Sequence, residues 1–164
     1  MKAATIKEIK TELENLSTAE LLPLALRLAR FKKENKELLT YLLFEAGHEQ
    51  DYIHGVKNDI DLLFEDLNTN SVYIAKKNLR KIIRVASRFI KYSDEAQTEI
   101  DILMHICDKI NDSGLKIAKS TVLTNMYKAL LKKINASIAT LHEDLQYDYL
   151  KQVQQLTLQQ PAIA

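Results

Sequence analysis

Residues 72–92 read VYIAKKNLRKIIRVASRFIKY. Val72, Ala75, Leu79, Ile82, Ile83, Ala86, Phe89 and Ile90 recur every three or four positions, the period of a helix with one apolar stripe. Seven Lys or Arg stand in the same stretch and no acid. Lys77, Arg80, Lys81, Arg84, Arg88 and Lys91 fall away from the stripe. The stretch therefore predicts one amphipathic helix with a core side and a basic side. Ile82, Ile83, Ala86 and Phe89 are its expected core.

The same period extends outward in both directions. Ile6, Ile9, Leu13 and Leu16 predict a short first helix. Ser17 with Glu20 is the pattern of a capping box and predicts the start of a second. Pro23 inside that helix implies either a bend or a regular part that begins near Leu22. Asn35 is the expected cap of a third helix, stopped by Gly47. A fourth covers 49–67, with Ile53, Val56, Ile60, Leu63 and Leu67 on one face. NTNS at 68–71 is a turn. Ser93 and Asp94 are the expected caps of a helix carrying Ile100, Leu103, Cys107 and Ile110, which ends at Gly114. From Leu123 to Leu156 the apolar spacing never breaks, so 121–157 is one long helix or two with a bend near His142.

Composition agrees with this pattern. The 164 residues hold three Gly and two Pro, too few to punctuate a β fold with a turn every eight to twelve residues. The hydrophobic fraction of 46% suits a chain that buries a core and not a disordered one. The expectation is all-α: about seven antiparallel helices in a solenoid-like stack or irregular bundle. A single domain is expected over 1–158, with a frayed tail over 159–164. MKAATIKEIKTELENL has no apolar core of a signal peptide. LLPLALRLARF, the longest apolar run, is interrupted by Arg27 and Arg30, short of a membrane span. A cytoplasmic protein with no membrane partner is expected.

Charge alternates in sign along the chain. Residues 38–66 carry seven acids and one Lys; 72–92 are basic; 93–112 carry six acids and one Lys; 113–135 carry five Lys and no acid. Antiparallel neighbours would place opposite charges along each packed pair. The basic face of 72–92 is therefore expected to pair with acids such as Asp59 and Glu65 in the helices on either side. The alternative is a nucleic-acid-binding face made of Lys77, Arg80, Lys81, Arg84, Arg88 and Lys91. A net charge of +1 and a pI near 7.8 lack the basic surplus of a dedicated binder, and favour the first expectation.

Few residues suggest chemistry. Glu45-x-x-His48 has the spacing of a carboxylate-bridged metal motif, but no second copy occurs and Gly47 interrupts it. Asp101 and His105 lie one turn apart as a surface contact. Cys107 falls on an apolar stripe and reads as a small hydrophobe. A single Cys forms no internal disulfide. LHEDLQYDYL at 141–150 is the densest polar string; His142, Asp144 and Asp148 are candidates for a polar pocket, set against a plain solvated face. Glycines at 47, 55 and 114 form no phosphate-cradling loop. The sequence assigns no catalytic residue, no metal ligand and no cofactor.

LENLSTAELLPLALRLARFKKENKELLTYLL, AKKNLRKIIRVASRFIK and LHEDLQYDY together resemble a bacterial family of small all-helical proteins of unknown function. The resemblance implies a helical array and no activity. In that family a His-Asp pair precedes an aromatic stretch near the C-terminus. Here Glu143 separates His142 from Asp144, and no role is carried over to them. The expected function is a non-enzymatic helical scaffold or protein-interaction module whose partner is a protein, self or other. A nucleic-acid partner is the alternative.

Overall fold

A computed structural model describes residues 2–158. Among these residues there are eight α-helices and no strand: α1 (Ile6–Glu14), α2 (Thr18–Phe31), α3 (Lys33–Thr40), α4 (Glu49–Glu65), α5 (Val72–Ser93), α6 (Ala96–Asp112), α7 (Thr121–Ile138) and α8 (Glu143–Leu158). A π-helical turn at Tyr41–Glu45 follows α3, and a 3-10 turn at Ile117–Lys119 precedes α7. The protein is all-α, as its periodicity requires, with one helix more than the count of about seven. The tail expected over 159–164 lies outside the described residues. The chain divides between Phe44 and Glu45 into two compact units.

In the first unit α2 packs on α3. Ser17 starts α2 as its sequence predicts: the Glu20 carboxylate accepts from the Ser17 N–H at 2.9 Å and from its hydroxyl at 2.7 Å. The hydroxyl and N–H of Ser17 hold that carboxyl below the usual range. α2 runs through Pro23 without ending. The chain breaks instead at Lys32, which is extended (φ −142°, ψ 149°) and is itself the cap of α3. Asn35 is therefore not a cap; its amide donates to the Leu28 carbonyl at 2.9 Å. None of α1, α2 or α3 contains a buried residue.

The second unit is built around α6, which touches α4, α5, α7 and α8. Contact with α4 and α8, which are not its sequence neighbours, makes this a bundle; a linear stack packs each element only on the next. Thr98, Ile100, Ile102, Leu103, Met104, Ile106, Cys107 and Ile110 of α6 are all buried. A helix packed on several sides needs apolar residues most of the way round. α5 contributes Ala75, Leu79, Ile82, Ala86 and Ile90.

Two local expectations are corrected here. Ser93 and Asp94 do not start α6. α5 continues through Ser93, and Asp94 closes it in the left-handed conformation (φ 57°). Glu95 precedes α6 without a capping bond. The Ser93 hydroxyl donates instead to Glu49 of α4 at 2.5 Å. Ile83 and Phe89 are also only half-buried, because the buried stripe of α5 centres on Ala75, Leu79, Ile82 and Ala86. Gly114 does end α6, at φ +72°, a conformation glycine adopts without steric cost. The long apolar repeat of 121–157 resolves into α7 and α8.

Candidate nucleic-acid interface

The cations of α5 lie opposite its buried stripe. At 3.6 residues per turn, Tyr73, Lys76, Lys77, Arg80, Lys81 and Arg84 recur on one face. With Asn78 they line an open depression of about 520 Å³. Lys77, Arg80, Lys81, Arg84 and Lys91 are exposed. From Lys77 to Lys91 the face extends about 21 Å at 1.5 Å per residue. Asn78 anchors the start of the helix by donating to the Asp66 carbonyl at 3.1 Å.

The ion pairs expected with Asp59 and Glu65 do not form. Among the described residues no carboxylate lies within 4 Å of Lys76, Lys77, Arg80, Lys81, Arg84 or Lys91. Asp59 and Glu65, the expected partners, are exposed on α4. The reason is geometric. α5 presents its apolar side to α4 and α6, so its basic side points away from their acids. Those acids find other partners. Asp61 of α4 meets His105 of α6 at 2.6 Å and Lys109 at 3.1 Å. Glu99 of α6 meets Lys133 of α7 at 3.1 Å and accepts from the Ser137 hydroxyl. The α6–α7 pair joins an acidic to a basic segment as expected, whereas α4 and α6 are both acidic and meet through Lys109, the single Lys of 93–112. Burial opposes ionisation of Asp61, yet the hydrogen bonds from His105 and Lys109 outweigh it and hold its carboxyl below the usual range.

Arg88 stands apart from the exposed cations. It is half-buried, with its guanidinium carbon 5.3 Å from the centre of the Phe89 ring. At the other end of the stripe the Lys76 ammonium lies 5.4 Å from the centre of the Tyr73 ring. Tyr73 is 72% exposed. Tyr73 and Lys76 extend the cationic set of the sequence pattern, since both continue its i, i+4 ladder into Lys77 and Arg80.

The other candidates are dispersed. His142, Asp144 and Asp148 are exposed at the start of α8, where His142 and Asp144 meet at 3.5 Å. Tyr149 of the same string is half-buried and donates to Asp101 at 3.4 Å. Asp101 and His105 do not pair with each other. Burial raises the Asp101 carboxyl above the usual range, against the pull of Lys57 and the Tyr149 hydroxyl. Glu45 ends the π-helical turn and His48 caps α4 beyond it. Among the described residues no three His, Cys, Asp or Glu side chains gather as metal ligands would. Cys107 is fully buried and its thiol is pushed up to about 12, first by burial and then by Asp108. No helix among the described residues is long and apolar enough to cross a membrane.

No family model, curated protein or solved structure matches this chain.

Proposed function

We propose that the chain is a non-enzymatic binding protein whose α5 face holds the phosphate backbone of a nucleic acid. The observation that supports this is the row of exposed cations with no carboxylate in reach. Paired cations would have no free charge to offer, and Lys77, Arg80, Lys81, Arg84 and Lys91 have no carboxylate within ion-pair distance among the described residues. Like charges at i, i+3 and i+4 repel one another, and a polyanion relieves that repulsion while its counterions are released. Such contacts position a strand without reading its sequence.

Fluorescence anisotropy with labelled oligonucleotides tests the reading. Binding is expected with Kd of about 10⁻⁴–10⁻⁶ M at physiological salt, and with a log–log salt slope near −3 if about four phosphates of a single strand are neutralised. Arg80→Glu with Arg84→Glu removes it. Binding that survives this double change, or none even at low salt, overturns the proposal. So does tighter binding to an acidic polypeptide or to anionic vesicles at equal charge.

A second reading, protein interaction by self-association, has its own support in the first unit. Leu22, Leu28, Phe31, Leu42, Leu43 and Phe44 are each more than half exposed. Two copies of the α2–α3 pair packed as four helices would bury both apolar sides. Sedimentation of Leu28→Glu with Phe31→Glu checks it: a dimer in the wild type that the changes dissociate supports this reading, and a monomeric wild type ends it.

A further inference from the structure

The basic depression of α5 does not end at its cations. Arg80 and Arg84 also form one wall of a groove of about 330 Å³. Its opposite wall is α7, with Met126 and Lys133, and Ile83 of α5 supplies apolar surface within it above the fully buried Leu103 of α6. The groove exists because α5 and α7 each pack on α6. Its character differs from the depression beside it: an apolar interior, with charge confined to the rim. At the far rim Lys133 is already held by Glu99 at 3.1 Å. The free positive charge of the rim therefore belongs to Arg80 and Arg84.

We propose that this groove seats one unpaired nucleobase, so that the chain binds single-stranded nucleic acid in preference to duplex. The inference rests on the reading of α5 as a phosphate-binding face and specifies its substrate. Arg80 and Arg84 are common to both surfaces, so a strand whose phosphates follow α5 has its bases within reach of the groove. A planar base has an apolar face for Ile83, Met126 and Ala129 and leaves its polar edge at the open rim. The volume lies at the low end of small-ligand sites and admits one base and no stacked run. Bases inside a duplex are stacked and paired, and enter such a groove only by being extruded.

The probes are oligothymidylate, an abasic strand of the same length and a duplex with the same number of phosphates. The abasic strand keeps every phosphate and lacks every base. Wild-type protein is expected to bind oligothymidylate about tenfold more tightly than the abasic strand, the scale of one base contact. Ala129 lines the groove and is exposed, so Ala129→Leu fills it without entering the core. This change should bring oligothymidylate down to the abasic level and leave the salt slope unaltered. Oligouridylate in place of oligothymidylate reports which sugar is taken, and preference over the abasic strand with either sugar supports the groove. Equal affinity of wild type for oligothymidylate, abasic strand and duplex overturns it, whatever Ala129→Leu does. If that binding is still lost on reversing Arg80 and Arg84, the phosphate reading stands alone. If no strand binds at all, both fall.

Discussion

Single residues of α5 and α6 show how much a half-turn of helix decides. Ile82 is 1% exposed, while Phe89, equally apolar in sequence, is half-buried beside Arg88 and meets Tyr92 edge-on at a centroid distance of 6.1 Å. Ile82→Ala is expected to lose about 2–5 kcal/mol of stability, the range for a buried aliphatic truncation. Phe89→Ala should lose less than that range allows for a fully buried ring, and chemical denaturation of the two variants decides the order. Asp101 carries a different cost. Its carboxyl is raised by burial, so the folded state disfavours its charge. Above the folded pKa that penalty is fully present; as pH falls toward the ordinary carboxylate value the group protonates and the penalty disappears. Asp101→Asn should therefore stabilise the protein at neutral pH, with a gain that shrinks in acid. A pH series of thermal melts checks it. A constant gain would place its origin elsewhere than in ionisation.

At the scale of the helix, periodicity located the buried stripe of α5 to within one position and placed its cations on the other side. It could not say what stands opposite those cations. Segment charges alternate in sign, and the inference that opposite-signed segments meet held for Glu99 with Lys133. α4 and α6, both from acidic segments, pack together all the same, and Asp61 takes Lys109, the single Lys of 93–112. The inference failed for the exposed cations of α5 because ion pairs form at the edges of a packed face, and Lys77, Arg80, Lys81 and Arg84 sit away from those edges. This leads to an expectation about stability alone. Changing Arg80 and Arg84 to Glu breaks no ion pair and introduces attraction to Lys76, Lys77 and Lys81, worth about 0.2–0.5 kcal/mol per pair. The melting temperature should hold or rise slightly. A clear fall would mean that acids of α4 or α6 pair with this face after all. The groove beside α5 was not legible in the sequence, since its lining comes from 80–87, 103 and 126–133, and no local pattern brings these together.

Across the whole molecule the two units differ in what holds them. α6 is surrounded, with Ile100, Ile102, Leu103, Ile106 and Cys107 at 0% exposure. The short helices α1 to α3 hold no fully buried residue, and helices of such length are marginal in water without tertiary packing. Native-state hydrogen exchange should therefore find the slowest amides in α6 and much faster exchange throughout α1–α3. Equal protection in both would show that the first unit is covered in solution. Local pattern suffices to make the chain all-α, to place its apolar stripes and to put the cations of α5 on one side. These are local properties, set by a 3.6-residue period and by the scarcity of Gly and Pro. Packing made α6 the centre, set its Lys109 against Asp61 of α4 and its Glu99 against Lys133 of α7, and left the exposed cations from Lys77 to Arg84 without a carboxylate. Those outcomes depend on which faces meet. Burial of the apolar stripes chooses the faces, and surface charges, each worth about 0–1 kcal/mol, are too weak to turn a helix round to satisfy them.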